Sequence, residues 1–299
     1  MVRAPANRQR GGVLLSAAIV LLIVGMALLA SHLIQAQERN LTQSTAPVVL
    51  LTELDAALAA FVSQHKRLPC PARGAFASTT AKAGVESINP ITGQCNPNTQ
   101  DDGVVPWVTL GLSEAAALDP WQGRITYRVQ PSLASNLLLL MNMSWCDPAG
   151  MPSGAPSSTL PCTAPCSGAA CRHPNSYLYS KGLAVRDGSG AWRSQPSPPW
   201  PGAPGGLPPL ATGAAYVLVS HGANGVGAYN ANGLLQGGTS SPGTNELSNR
   251  NGQALIGATV FIDAVPSVAA GTAHFDDLLR HPSLATVLER AALAPRTPH

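Results

Sequence analysis

The sequence predicts an α+β fold: a long, hydrophobic N-terminal helix precedes a globular domain with an antiparallel β-sheet and a disulfide-stapled, loop-rich insertion. Three observations predict it. They are an uncharged apolar run near the N-terminus, an amphipathic stretch directly after it, and short alternating runs separated by turn-rich segments. A hydrophobic fraction of 45% is enough for a core, while 29 glycines and 27 prolines predict many turns.

The first 34 residues have the pattern of a membrane anchor with a basic leader. Residues 12–34 contain no Asp, Glu, Lys or Arg, and about 20 apolar residues cross a bilayer as a helix. Residues 1–11 carry three arginines, which the positive-inside rule keeps in the cytoplasm while the bulk of the chain crosses. Without this leader the formal net charge is zero, so nothing indicates a nucleic-acid partner. The alternative is a secretory signal peptide cleaved near Ala30 or Ala36.

Residues 35–67 continue the helical pattern with one apolar face. The residues of that face recur at spacings of three and four: Leu51, Leu54, Leu58, Phe61, Val62 and His65. Lys66 and Arg67 close the helix, where cations favour its C-terminal dipole. Pro47 is expected to kink the helix or split it. The alternative is a separate domain helix that starts near Thr45 or Ala46.

Residues 68–299 are predicted to form a globular domain on the far side of the membrane. The runs that favour strands lie at 125–129, 136–145, 214–220 and 258–265. Turn-rich stretches between them favour an antiparallel sheet over alternating βαβ units. Residues 147–211 are rich in Pro, Gly, Ser and Ala, which predicts a long, irregular insertion. A last helix is predicted over 274–293, broken at Pro282.

Six cysteines all follow the apolar run, and an even number on the oxidising side of a membrane predicts disulfides. Cys70 and Cys95 form a natural pair by their separation. The other four allow three pairings and are expected to staple the insertion: Cys146, Cys162, Cys166 and Cys171. Three of these four with His173 superficially resemble a zinc cluster, but their spacings are looser than zinc sites favour.

Few residues in the sequence suggest a chemical site. The glycine-rich stretch 220–228 matches no phosphate-binding motif. Its His221 is expected to be a structural histidine rather than a catalytic base for Ser220, because neighbours on a strand point to opposite sides. Asp263, Asp276 and Asp277 are weak calcium candidates, since calcium needs 6–8 oxygen ligands. The sequence therefore predicts no catalytic residues and no cofactor, with calcium as the open possibility.

The N-terminal stretch RQRGGVLLSAAIVLLIVG resembles the prepilin-type N-terminus of type IV pilins and type II secretion pseudopilins. RLPCPA at 67–72, VPWVTLGL at 105–112 and DPWQGRITYRV at 119–129 are similar to segments of large pseudopilin-related proteins, as is the stretch near 214–228. The resemblance implies cleavage by a prepilin peptidase between Gly11 and Gly12, followed by N-methylation of Gly12. Cleavage after Gly12 is the second choice.

One position departs from the family pattern. Ser16 stands at the fifth residue after the expected cut, where most members carry a glutamate that pairs with a neighbouring subunit's amino terminus. A serine supplies no such charge. The resemblance therefore implies a minor, tip-proximal subunit rather than a major one.

The function expected from this resemblance is structural, not enzymatic. The chain is expected to be a minor pilin-like subunit of a type II secretion pseudopilus or type IV pilus, held in the bacterial inner membrane with its bulk in the periplasm. Its expected partners are other pilin or pseudopilin subunits, the prepilin peptidase and membrane lipid. The alternatives are a membrane-anchored periplasmic binding module or enzyme, and an adhesin-like minor pilin that uses residues 147–211.

Overall fold

The computed structural model describes the following residues: 45–65, 67–97, 99, 102–134, 182–196, 213–237, 242–252, 260–267, 269 and 271–292. The predicted leader (1–11), the predicted membrane helix (12–34) and the predicted strand at 136–145 lie outside them. A compact unit of the chain begins at Pro47.

Helix α1 spans Thr45–His65, with Pro47 in its first described turn, where a proline is tolerated. By length and composition it is apolar enough to cross a membrane, a property it shares with the core helices of globular domains. Five of the six residues predicted for its apolar face are buried: Leu51, Leu54, Leu58, Phe61 and Val62. The prediction was wrong for the sixth, His65, which is exposed near the end of the helix and stacks on the Phe61 ring. Each buried side chain of this face contributes about 1.5–3 kcal/mol when it leaves water, so this face holds the helix against the domain.

The part of the chain that the structure describes continues with eight strands, most of them short. They are β1 (Ala72–Arg73), β2 (Gly103–Val104), β3 (Thr126–Val129), β4 (Ala184–Asp187), β5 (Trp192–Ser194), β6 (Tyr216–Ser220), β7 (Val260–Asp263) and β8 (Leu278–Arg280). The larger sheet has the order β1-β2-β3-β6-β8, and all its neighbours are antiparallel. The α+β class and the antiparallel sheet predicted from the sequence are thus confirmed.

The smaller sheet has the order β5-β4-β7 and contains a parallel pair, β4 with β7. Two of its strands, β4 and β5, lie inside residues 147–211. The prediction of an irregular segment was therefore wrong for 182–196. There the sequence Asp187-Gly188-Ser189-Gly190 turns one strand back onto the next, and Gly190 adopts a φ of +89°.

Strand β6 lies between β3 and β8 in the larger sheet and is fully buried. Alternate side chains enter two separate apolar clusters, because successive residues of a strand point to opposite faces. Tyr216 and Leu218 join the larger cluster, which includes the buried face of α1. Val217 and Val219 join the smaller cluster with Phe261 of β7. Burial on both faces explains why this segment is apolar throughout.

The remaining described helices are short: α2 (Pro131–Ala134), α3 (Thr244–Asn249) and α4 (Leu284–Arg290). The predicted helix over 274–293 was wrong before Pro282, because that part pairs with β6 as strand β8. After Pro282 it is confirmed as α4. The hydroxyl of Ser283 accepts a hydrogen bond from the Thr286 amide (3.2 Å) and caps the first turn of α4.

Candidate functional site

A buried carboxylate fixes α1 to the rest of the domain. Asp55 follows Leu54 on the apolar face and is fully buried. It accepts hydrogen bonds from Nε (3.0 Å) and Nη2 (2.8 Å) of Arg280 in β8. It also contacts the guanidinium of Arg290 in α4 and the hydroxyl of Tyr216 in β6. These four residues are called the helix clamp below.

The helix clamp was not predicted from the sequence, although a signal was present. A carboxylate within an apolar helical stripe is stable only when it is paired, because an unpaired charge is costly to bury. Asp55 is such a residue, and its partners are distant in sequence, 225 residues for Arg280 and 235 for Arg290. Local sequence patterns could not identify these two arginines as the partners of Asp55.

A second polar group lies at the end of β6. Asp119 accepts hydrogen bonds from the Gly123 amide (2.7 Å), the Trp121 amide (3.0 Å) and the Ser220 hydroxyl (3.0 Å). Burial raises the pKa of Asp119, and these hydrogen bonds oppose part of that rise. The DPWQG segment is thus a turn closed by its own aspartate and tied to β6.

The side chain of His221 points away from that of Ser220 and lies between a hydroxyl group and a carboxylate. Its Nε2 lies 2.8 Å from Oγ1 of Thr126, and its Nδ1 lies 3.4 Å from Oδ1 of Asp277. Asn251 donates to Thr126 (2.6 Å) and Asn249 donates to Asp277 (2.9 Å). The composition is that of a catalytic triad, but each of these side chains is buried within the described part of the chain. Their position between β3, β6 and β8 indicates a structural role.

A third group is closer to solvent and mixes carboxylates with an imidazole. Oε1 of Glu246 lies 2.8 Å from Nδ1 of His274, and it accepts hydrogen bonds from the Asn224 amide group (3.0 Å) and the Asp276 backbone amide (3.0 Å). The three side chains Glu246, His274 and Asp276 each offer a ligand atom, and these atoms lie within 4.8 Å of one another. Burial, reinforced by the neighbouring Glu246 carboxylate, raises the pKa of Asp276 to about 6.

The three aspartates predicted as calcium candidates have three different sets of neighbours. Asp276 belongs to the group just described. The carboxylate of Asp277 accepts from Asn249 and faces His221. Asp263 lies 3.0 Å from Nε2 of His281. The sequence indicated Asp276 but not Glu246 or His274. Their contact depends on the tertiary fold, which brings the segment before β8 next to α3.

The disulfide predicted between Cys70 and Cys95 is present. Other predicted positions fall outside the part of the chain that the structure describes: Gly11, Gly12, Ser16, Cys146, Cys162, Cys166 and Cys171.

Comparison with models of known protein families, with curated proteins and with solved structures found no match. Function therefore has to be inferred from the chemistry of the chain's own residues.

Proposed function

We propose that this chain is a minor pilin-like subunit of a type II secretion pseudopilus or a type IV pilus. Residues 12–34 hold it in the bacterial inner membrane, and a prepilin peptidase cleaves it between Gly11 and Gly12. The observation that carries the proposal is the position of α1. Within about ten residues of an uncharged apolar run, the chain forms a helix that packs one face on an antiparallel sheet and leaves the other face open.

The open face of α1 supports assembly by side-to-side packing of helices. Val48 and Val49 are 53% and 55% exposed, and Ala56 and Ala60 are also exposed. Glu53 is the one Asp, Glu, Lys or Arg on the exposed side between residues 45 and 65. Small and apolar side chains let helices of neighbouring subunits approach closely, while the helix clamp keeps the globular domain attached to the opposite face.

Processing of the N-terminus tests the proposal directly. In cells with an active prepilin peptidase, we expect mass spectrometry of the membrane-extracted protein to find an N-methylated Gly12 at its start. Gly11→Val should remain unprocessed, because the resemblance to prepilins implies cleavage directly after Gly11, where a bulky side chain should block it. Gly25→Val, a matched change inside the apolar run, should be cleaved like the wild type. An intact Met1 in the wild type, or normal cleavage of Gly11→Val, would count decisively against the proposal.

The open face of α1 gives a second test. Val49→Lys should abolish co-purification with other fibre subunits, because it buries an unpaired charge between helices. Its effect on the free energy of unfolding should stay within about 0.5 kcal/mol, as for most exposed positions. Val265→Lys is the matched control, since Val265 is 86% exposed and lies outside α1. Equal incorporation of both variants would show that this face does not contact neighbours.

A further inference from the structure

We propose that Glu246, His274 and Asp276 bind a zinc ion. The proposal goes beyond an assembly role and stands whether or not the chain joins a fibre. Glu246 lies in α3, His274 follows a short 3-10 turn at Gly271–Ala273, and Asp276 precedes β8. The site would therefore join two segments that are nearly 30 residues apart in the sequence.

The backbone places the two C-terminal ligands on one side. Phe275 lies between His274 and Asp276, is buried, and exchanges both backbone hydrogen bonds with Ser267. In such an extended segment, residues on either side of a buried one point together toward the opposite face. His274 and Asp276 thus both face Glu246, whose Oε2 is held in place by a hydrogen bond from the Gly243 backbone amide (2.8 Å) at the start of α3.

Two features of the carboxylates favour the binding of a cation. Glu246 and Asp276 place carboxylate oxygens within 4.8 Å of each other, an arrangement in which two negative charges repel. Oδ1 of Asp276 is shielded from solvent and has no hydrogen-bond partner in the described part of the chain, although its Oδ2 accepts from the Asn224 amide (3.0 Å). A buried carboxylate oxygen without a donor is the type of atom that a metal ion satisfies.

The donor set favours zinc over calcium. Zinc binds imidazole nitrogen and carboxylate oxygen, and open zinc sites use three protein ligands with a water in the fourth position. Calcium takes 6–8 oxygen ligands, and an imidazole is not among them. Tetrahedral ligands about 2.0–2.1 Å from zinc lie about 3.3 Å apart. The observed separations run from 2.8 Å between His274 and Glu246 to at most 4.8 Å, so only small side-chain shifts are needed.

Neighbouring groups would orient the ligands, and the ion has a route in. The Asn224 side chain donates to Glu246 and its backbone amide donates to Asp276, which fixes both carboxylates. The His274 side chain is 21% exposed and Asp276 is half-buried, so the site opens to solvent on one side. Zinc would then connect α3 to the segment that leads into β8 and stabilise both.

The test uses the full-length protein in detergent, treated with chelator and with any free thiols alkylated, so that cysteines do not compete. Titration calorimetry with zinc chloride should show saturable one-to-one binding, and zinc should raise the melting temperature. His274→Ala and Asp276→Asn should each weaken binding about tenfold or more. His281→Ala is the matched control: its side chain is similarly exposed, at 19%, and it also pairs with a carboxylate, Asp263. It should bind zinc like the wild type.

Several results would overturn the proposal. These are the absence of saturable zinc binding, tighter binding of calcium chloride than of zinc chloride, and zinc binding that survives both His274→Ala and Asp276→Asn. An equal loss in His281→Ala would place the ion elsewhere. Melting curves of the metal-free variants verify that each is folded, and cobalt substitution offers an independent readout, because its visible spectrum reports tetrahedral coordination.

Discussion

At the scale of single residues, the most informative side chain is Asp55. It is a carboxylate inside an apolar helix face, and its ion pairs come from β8 and α4. Such an arrangement adds less to net stability than its Coulomb attraction suggests, because the carboxylate loses its hydration. Its clearer effect is on the specificity of packing, because Asp55 reaches both arginines when α1 packs in this position and orientation.

Replacing Asp55 tests the helix clamp. Asp55→Asn removes the charge but keeps the size, and we expect the free energy of unfolding to fall by about 2–4 kcal/mol, as hydrogen bonds to charged groups are lost. Glu53→Gln, two residues away on the exposed side, should change it by no more than about 0.5 kcal/mol. Urea denaturation of both variants measures the difference. Equal stabilities would mean that the clamp contributes nothing.

Asp119 predicts a pH dependence. An aspartate whose pKa is raised by burial holds its proton longer in the folded state than in the unfolded chain. The free energy of unfolding therefore falls as pH rises from about 4 through the folded pKa. Asp119→Asn should remove this decline, and urea denaturation at about pH 4 and about pH 7 would reveal it. An unchanged pH slope would show that Asp119 titrates normally.

Asp187 predicts a pH dependence of stability that is opposite in sign to that of Asp119. The Ser189 hydroxyl, with the backbone amides of Ala191 and Ser189, lowers the pKa of Asp187. This group therefore stabilises the fold above its ordinary pKa and loses that contribution as pH falls through the lower folded pKa. Asp187→Asn should reduce stability at neutral pH relative to acid pH, the reverse of Asp119→Asn.

At the scale of elements, the sequence predicted those strands and helices whose buried residues follow a regular spacing or a continuous run. Strands β3, β6 and β7 were found because their apolar residues alternate or run continuously, and α1 because its face recurs at three and four residues. The helix predicted before Pro282 failed because Leu278 and Leu279 fit a helical stripe as well as a strand. Only pairing with β6 decides between them, and that contact is set by the tertiary fold.

Candidate sites were predicted less well than elements. His221 was correctly placed on the opposite side from Ser220, since neighbours in an extended chain alternate. Glu246 was missed because a glutamate near the start of a short helix is usually a cap. Its contact with His274 depends on the irregular segment around residue 274, which has no periodic pattern. No sequence signal therefore indicated this contact.

Gly222 allows a test of close packing in the glycine-rich turn. It has a φ of +59°, and a Cβ there would lie 2.4 Å from Cγ of Asp276. Gly222→Ala should cost about 3 kcal/mol or more, since overpacking adds to backbone strain. Gly190→Ala is the matched control: its φ is +89°, but nothing lies within 4 Å, so it should cost only about 1–2 kcal/mol. Thermal unfolding measures both, and equal costs would exclude a packing effect.

The disulfide between Cys70 and Cys95 joins the end of the α1 connection to a loop with little regular structure. Closing a loop of 25 residues should stabilise the fold by about 3 kcal/mol, chiefly by restricting the unfolded chain. Reduction of the wild type should therefore lower its melting temperature. Cys95→Ala should have a lower melting temperature than the oxidised wild type, and reductant should change it less. Equal melting temperatures of Cys95→Ala and the wild type would show that the disulfide contributes nothing.

At the scale of the whole molecule, the described unit has two clusters of buried apolar side chains, one on each side of β6. A fragment of residues 45–299, exported to an oxidising compartment, should be recovered without detergent and unfold cooperatively. The full chain should need detergent because of residues 12–34. Sedimentation of both after cell lysis would measure this, and a freely soluble full chain would refute the membrane anchor.

The helix clamp also makes the docking of α1 depend on residues that are synthesised long after it. Asp55 pairs with a guanidinium that lies 235 residues later, so α1 cannot reach its complete set of contacts until α4 has been made. A chain that stops before Arg290, or that a protease trims there, leaves the buried carboxylate with only one of its two counter-charges. Only chains that extend through α4 therefore hold α1 by the complete helix clamp.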